Sequence, residues 1–385
     1  MTYSYLVLGS GRQGTAAGYD LVVNGEADRV VFADSSMEVA EAAATRVNRL
    51  TGEPTGTAQV VDAADFDAIA NLLESVDVMV CAVPFRLIPG CTEAAIRSAT
   101  GMVDLGGHTP TVLDQLGRDA EAAEAGISIV PDCGMGPGMN NTMGLYAADL
   151  LADAGATPKS VRLYDGGLPQ DPRGPYGYRL FFHINGLTNE YDGEALFLRD
   201  GKPTLVAAMT EPEEIEFPGL GVLEAFVTSG GTSTVPYTFE GRLDTYENKT
   251  VRYPGHYAKF AAFKELGLFS EEPGEDGVAP RDVFHRLLEP QLSDGPLDDV
   301  CVMRAIAEGT GGSKVVVDVV ERFDPATAFT AMEKLTGWHA STMARFVADG
   351  RVRRGVVKLE EAVPHAEFME AMARRGIAST VVRTP

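Results

Sequence analysis

Basic residues are in short supply in this sequence: 32 Lys and Arg stand against 55 Asp and Glu, a formal net charge of -23. That deficit argues against nucleic acid and anionic membranes as partners, because both need clustered cations. An acidic surface keeps a chain soluble and also draws in cationic substrates; the charge alone does not choose between the two. Cysteine is scarce as well. Cys81, Cys91, Cys133 and Cys301 form no CxxC pair and no Cys/His cluster at zinc spacing, so neither a disulfide framework nor a metal site is expected. Reduced, buried thiols in a cytoplasmic protein are the default. No apolar run approaches the roughly 18 residues that cross a bilayer. The N-terminus carries no basic segment ahead of a long apolar stretch, so no export signal and no membrane partner are expected. Neither a fixed-period repeat nor a low-complexity tract stands out, despite 42 Gly and 22 Pro.

What the chain has is length and apolar material. Its 385 residues, 45% hydrophobic, exceed one simple core and predict two domains or one domain with a large insertion. Tyr3-Ser4-Tyr5-Leu6-Val7-Leu8 is a β-prone run that meets Gly9-Ser10-Gly11-Arg12-Gln13-Gly14, and a helical stretch over 15–23 follows. A GxGxxG between strand and helix is a dinucleotide turn. Its first glycine permits the tight turn and its second lets the backbone approach a pyrophosphate. The third lets helix and strand pack closely, while the helix N-terminus offers free N–H groups. Arg12 and Gln13 lie inside this turn and count as cofactor candidates with Gly9, Gly11 and Gly14.

A second run, 29–33, ends at Asp34, about 20 residues past the last glycine, where an acid holds the ribose. Ser35 and Ser36 follow, with no arginine to receive a 2′-phosphate, which points to NAD rather than NADP. The competing reading is that Asp34 only caps the helix predicted over 37–50. Strands are predicted at 58–61, 76–83, 101–105 and 127–131, and helices at 65–73, 89–98 and 111–125. The fold class is therefore α/β: a Rossmann doubly wound parallel sheet. Ligands sit at the carboxyl ends of such strands. Asp62 is thus placed near adenine, Ala82, Val83 and Pro84 near the nicotinamide, and Asp104 on the cofactor's side.

Beyond Pro131 the alternation stops. Short strands predicted at 160–164, 179–184, 194–199, 224–228, 245–253 and 300–307, then 314–322, read as a second, mixed α+β strand-rich domain. A helical pattern over 326–349 and a basic segment over 360–376 are expected to return to the first domain. The predicted division is 1–132 for NAD binding, 133–325 for substrate and dimerisation, and 326–385 for the returning segment.

Five segments carry a likeness: Asp104-Leu105-Gly106-Gly107-His108, Pro137-Gly138-Met139-Asn140-Asn141, Tyr164-Asp165-Gly166-Gly167-Leu168-Pro169, Thr228-Ser229-Gly230-Gly231-Thr232-Ser233 and Thr250-Val251-Arg252-Tyr253-Pro254-Gly255-His256. In this order they resemble the saccharopine dehydrogenase superfamily, most closely its L-lysine 6-dehydrogenases, over nearly the whole chain. The resemblance implies NAD-dependent oxidative deamination of the side-chain amine of a small-molecule amino acid, L-lysine, by a homodimer. Hydride would leave Cε for the nicotinamide and the imine would be hydrolysed. A saccharopine- or carboxynorspermidine-type amine oxidoreductase, or a non-catalytic NAD-binding sensor, are the alternatives.

Such chemistry needs a carboxylate anchor, a group that takes a proton from an amine of pKa about 10.4, and close positioning of the reacting carbon. Arg252 is the expected anchor, since a guanidinium binds a carboxylate through two parallel hydrogen bonds; a structural ion pair is the competing role. Arg179 is the reserve. Asp165 is the acid/base candidate, although the related saccharopine reductases carry a cysteine there and an Asp before Gly-Gly also forms turns. His108 is the second catalytic candidate, since imidazole titrates near neutrality, or a locally bonded helix-entrance residue. Tyr178 and His183, on the strand predicted over 179–184 and its flank, and Thr232, in a polar glycine-bearing loop, are the remaining substrate candidates.

Overall fold

The computed structural model describes residues 2–384. Its strands, in chain order, are β1 (Tyr3–Leu8), β2 (Ala27–Asp34), β3 (Gly56–Val60), β4 (Val78–Cys81), β5 (Gly101–Asp104), β6 (Ser128–Val130), β7 (Pro158–Pro169), β8 (Glu194–Arg199), β9 (Lys202–Ala207), β10 (Glu213–Phe217), β11 (Gly221–Val227), β12 (Thr245–Arg252), β13 (Asp299–Gly309), β14 (Lys314–Arg322), β15 (Gly355–Val356) and β16 (Thr380–Thr384). The chain divides into two compact units. The first takes in the chain up to Asp149, then Ser233–Val235 and Glu333–Ser379; the second takes in Leu150–Thr232, Pro236–Met332 and the chain from Thr380 on.

In the first unit seven strands pair in the order β15-β6-β5-β4-β1-β2-β3, every pair parallel. Their apolar runs, such as Val78-Met79-Val80-Cys81, are buried throughout because helices cover both faces of a parallel sheet. The strand order reverses between β1 and β4, and that is where the glycine turn sits. Helix α1 (Arg12–Asn24) starts directly after Gly11. Gly9 has φ +90°, and a Cβ there would meet the Ala82 carbonyl oxygen; a Cβ at Gly14 would overlap the Gly9 carbonyl oxygen. A Cβ at Gly11, by contrast, meets nothing within 4 Å. The same economy of side chain lets α1 lie on the sheet, since a Cβ at Gly18 would strike the Phe32 ring.

The sequence reading is corrected in three places. The helix expected over 111–125 is two, Thr109–Leu116 and Asp119–Glu124, broken at Gly117-Arg118. The long helix expected from 326 begins at Ala331 and ends at Ala348. No strand covers 179–184: the Leu180 N–H donates to the Leu292 carbonyl, and Leu180 and Phe181 bury their side chains in a segment that joins no sheet. A β-prone run cannot be a strand where nothing pairs with it.

The second unit carries a sheet in the order β10-β11-β12-β7-β13-β14-β16, with the β8-β9 hairpin joined to β12 through Leu198 and Tyr246. It is mixed: β7 and β12 are parallel and its other pairs antiparallel. Successive strand residues face opposite sides. Tyr164, Leu168, Val251, Val300 and Val302 therefore pack with Phe217 and Leu223 in one apolar layer. Asp165, Gly167, Thr250 and Arg252 alternate with them and so face the other side, with Asp165 directly opposite Thr250.

Overpacking a tight backbone contact costs about 1–3 kcal/mol. Gly14→Ala is therefore expected to lose about that much stability by urea denaturation. Gly11→Ala, which meets open space, should leave the urea midpoint within error while weakening dinucleotide binding in a titration. Equal midpoint losses in the two variants would refute this division of labour.

Candidate functional site

In the first unit the carboxyl ends of the strands carry a series of aspartates. Asp34 ends β2; its Oδ2 accepts from the Ser10 backbone N–H at 2.9 Å and its Oδ1 from that of Ser36 at 3.1 Å. Its carboxylate is thereby held against the glycine turn, while the cap of the next helix is Ser36, whose hydroxyl accepts from Val39 N–H. The reading of Asp34 as a mere cap is set aside by this geometry. Ser35 beside it is exposed. Arg12 is exposed at the start of α1, and the Gln13 amide oxygen is buried with no hydrogen-bond partner among the described residues. Asp62, after β3, accepts from the Ala64 N–H at 2.9 Å. Ala82 donates its N–H to Leu8 and leads into Val83 and Pro84 after β4. An open space over Gly11, an orphaned amide at Gln13 and a half-buried carboxylate at Asp34 fit a dinucleotide on this edge.

Asp104, at the end of β5, is buried, and burial pushes its carboxyl up to about 6 even though Gln115 and the Gly106 N–H hold it at 2.8 and 2.9 Å. Asp132, two residues past β6, was not singled out in the sequence. It is 2% exposed, at φ +66°. Burial raises it first; the Ser233 hydroxyl donates to Oδ2 and opposes that, and the neighbouring Asp104 and Glu360 carboxyls raise it again, to about 8. Its signal was available: an aspartate just past a strand's carboxyl end, as at Asp34 and Asp104. His108 caps the helix Thr109–Leu116, with Nδ1 2.8 Å from the Thr111 hydroxyl, and stacks on Phe85 with ring centroids 4.2 Å apart. That is the local role weighed against catalysis in the sequence.

In the second unit the polar side of the sheet holds a connected set. Arg252 is 3% exposed, and its three donor nitrogens are committed: Nε to the Tyr191 hydroxyl at 2.8 Å, Nη1 to the Val251 carbonyl at 2.9 Å and Nη2 to Glu190 at 3.4 Å. The guanidinium also lies 4.8 Å from the centre of the Tyr178 ring. The expected carboxylate anchor thus has protein partners for three of its five N–H groups. Burial works against its charge, and Tyr191, Tyr178 and Glu190 outweigh that. Glu190 is pushed up to about 7, by burial first and then by Asp165, against the pull of Arg252.

His256 starts the helix His256–Glu265 and is 1% exposed. Its Nδ1 lies 2.9 Å from the Tyr176 carbonyl, which can only accept, so Nδ1 carries the proton and Nε2 accepts from the Tyr191 hydroxyl at 2.9 Å. Burial and Arg252 hold this imidazole down at about 3, neutral at physiological pH. The hydrogen bonds thus run one way, from Arg252 through Tyr191 and His256 to Tyr176. The Thr228 and Thr250 hydroxyls meet at 2.7 Å beside Asp165.

Other expected residues are placed differently. His183 is exposed and caps the helix Ile184–Glu190 by accepting from Asn185 N–H at 3.1 Å, so it does not lie on a strand. The Thr232 hydroxyl donates to the Leu196 carbonyl. Arg179 is half-buried, with no carboxylate at salt-bridge distance among the described residues. No group of three or more possible metal ligands occurs among the described residues.

A parallel sheet that reverses at a glycine turn, with an acid at the end of its second strand, defines a pyridine nucleotide-binding domain, here accompanied by a strand-rich unit with a buried polar face. The family model of the saccharopine dehydrogenase NADP binding domain matches residues 5–130, and that of the saccharopine dehydrogenase C-terminal domain matches 134–377. The chain belongs to the saccharopine dehydrogenase family, whose named members are oxidoreductases acting on CH–NH donors.

The chain is 25% identical over 252 residues to the saccharopine dehydrogenase [NADP(+), L-glutamate-forming] of Saccharomyces cerevisiae, covering 63% of this chain and 55% of that protein. It is 27% identical over 214 residues to the mitochondrial alpha-aminoadipic semialdehyde synthase of Rattus norvegicus, covering 54% of this chain and 23% of that protein. It thus matches about half or less of these relatives' length. The apo structure of histidine-tagged saccharopine dehydrogenase (L-Glu forming) from Saccharomyces cerevisiae shares the fold, with a TM-score of 0.80, 18% identity and 100% of both chains covered. No helix among the described residues is long and apolar enough to cross a membrane.

An unfolded aspartate titrates near 3.9, the folded Asp132 at about 8. Between those values the folded state keeps a proton that the unfolded state has lost. The Asp132 contribution is therefore fully present below about pH 4 and lost as pH rises toward 8. Asp132→Asn should flatten the fall in urea stability between about pH 4 and about pH 8 by on the order of a few kcal/mol. Parallel pH slopes for variant and parent would count against a buried, protonated carboxyl.

Proposed function

We propose that the chain is an NAD-dependent oxidoreductase that removes a hydride from the carbon bearing the side-chain amine of an amino acid of the L-lysine type. One observation carries the substrate reading: the polar face of the second unit sets the Asp165 and Glu190 carboxyls near each other, with Glu190 beside Arg252, whose three donor nitrogens each already meet a protein acceptor. A site of that balance suits a terminal ammonium better than the extra carboxylates of a secondary-amine dicarboxylate, which call for a second free cation. Glu190, at about 7, is matched to taking a proton from the amine near neutral pH, with Asp165 holding the cation that develops on the imine. Arg179, half-buried and without a carboxylate partner among the described residues, is the group available for the α-carboxylate. The coenzyme supplies the hydride acceptor; this chain orients it through Gly9, Gly11, Gly14 and Asp34.

NAD rather than NADP is favoured by Asp34 with Ser35 and Ser36 beyond it, since a carboxylate accepts from ribose hydroxyls and repels a 2′-phosphate. Four free, buried cysteines support a reducing, cytoplasmic setting. Val381 and Val382, both exposed on the edge strand β16, support a homodimer. A saccharopine-type oxidoreductase using NADP is the second reading, favoured by the names of the relatives and of the matching coenzyme-domain family.

The deciding measurement is the formation of reduced coenzyme with L-lysine or saccharopine, each with NAD and NADP. Lysine with NAD is the expected pair; turnover of saccharopine alone would transfer the assignment to the second reading. Asp165→Asn should lower kcat roughly 100-fold or more. Glu190→Gln, which removes the base, should likewise lower kcat roughly 100-fold or more, and Arg179→Ala should raise the KM for lysine roughly tenfold. Asp34→Ser combined with Ser35→Arg should move the NADP-to-NAD preference by roughly tenfold or more.

A further inference from the structure

We propose that Asp132 is the electrostatic partner of the oxidised nicotinamide, giving up a proton when that cation binds and taking one back when hydride neutralises it. This rests on the coenzyme reading above and deepens it. A doubly wound sheet is two mononucleotide-binding halves. Asp34 and the glycine turn belong to the β1-β2-β3 half, which takes the adenylate. The other half, β4-β5-β6, takes the nicotinamide, and Asp132 lies just past the end of β6.

The carboxyl is held there by geometry rather than by chance. Asp132 has φ +66°, in the left-handed region that non-glycine residues rarely adopt, and its hydrogen-bond donor Ser233 has φ +45°. Two strained residues meeting in one bond persist only where the surroundings over-determine them. Next to Asp132, the Cys133 N–H donates to the Asp104 carbonyl at 2.7 Å. Over it lies the Gly106-Gly107 turn: Gly107 N–H faces Oδ1 at 3.4 Å, and a Cβ at Gly106 would overlap that oxygen. The titratable groups facing it are the carboxyls of Asp104, at the end of β5, and Glu360, on the helix Leu359–Ala362, and the buried Cys133 thiol. The neighbours named here leave its charge uncompensated, which is why it holds a proton near neutrality and why an arriving cation should remove it.

The balance closes with the proposed oxidation. R–CH2–NH3+ and the oxidised ring become R–CH=NH2+, the reduced ring and one proton. The hydride carries both electrons of the broken C–H bond to the ring, and the proton lost by the amine is matched by the one Asp132 takes once the ring charge is gone.

The test is titration of the whole chain with NAD+ and with NADH in two buffers of different ionisation enthalpy, which counts protons without turnover. A unit lowering of a pKa near 8 releases about half a proton at about pH 7.5 and tightens NAD+ binding up to about tenfold across the titration. The expected result is that release with NAD+, almost none with NADH, and no difference between the two in Asp132→Asn. Equal release with both coenzymes, or a difference that survives in Asp132→Asn, would overturn the proposal. Should that variant fail to fold, the parent alone decides: NAD+ affinity must rise between about pH 6 and about pH 9 while NADH affinity stays level, and level affinity for both overturns it. Lysine turnover with no difference in proton release sinks this inference and leaves the functional reading standing; no affinity for either coenzyme sinks both.

Discussion

Close approach of backbone to backbone at Gly9 and Gly14 is the constraint on which the nucleotide half of this molecule depends. Without side chains there, the Gly9 carbonyl lies where a Gly14 Cβ would sit, and Gly9 itself abuts the Ala82 carbonyl after β4. The first helix is thereby pulled onto the sheet at the reversal of strand order, with its free N–H groups over the strand ends. The pattern repeats along the same surface. Gly18 admits the Phe32 ring, and Gly337, on the helix Ala331–Ala348, packs against the α1 backbone at Gln13 and Ala17. Gly11, alone in that turn, leaves space unfilled. The same residue type thus makes contacts at four positions and a vacancy at the one where a diphosphate needs to approach.

Much of this was legible in the sequence because it is local. The turn, Asp34 and the run of strands up to Val130 depend on residues within about 30 positions of one another, the span of a βαβ unit, and period-2 and period-3.6 patterns report them directly. What was not legible is what folding assembles from distant parts. The Asp132 environment needs Ser233 and Glu360, and Glu190 acquires its character from Arg252 and Asp165. No window of sequence contains those sets. Arg252 shows the converse: its motif does not reveal that three of its N–H groups meet protein acceptors. His108 and His183 each accept from a backbone N–H at a helix entrance, a contact that residue type alone does not announce. The strand expected over 179–184 failed for a related reason, since β propensity reports a preference and pairing needs a neighbour.

The net charge of -23 takes on a different meaning once its members are located. Most acids lie where solvent screens them. Asp104, Asp132 and Glu190 instead sit where burial pushes their carboxyls up to about 6, 8 and 7, bracketing neutrality. Two buried acids, Asp104 and Asp132, and the half-buried Glu190 at such values destabilise the fold above neutral pH, and simple amides in their place would avoid that cost. Each unit limits the penalty in its own way: the first with hydroxyl and backbone donors, the second with a fixed guanidinium and a one-way chain of hydrogen bonds through a neutral His256 to the Tyr176 carbonyl. On the function proposed above, carboxyls kept near their titration point in two separately built settings would serve a reaction that moves one hydride and one proton. Under that proposal these carboxyls, more than the glycine fingerprint, would distinguish an amine-oxidising site from a bare nucleotide-binding fold.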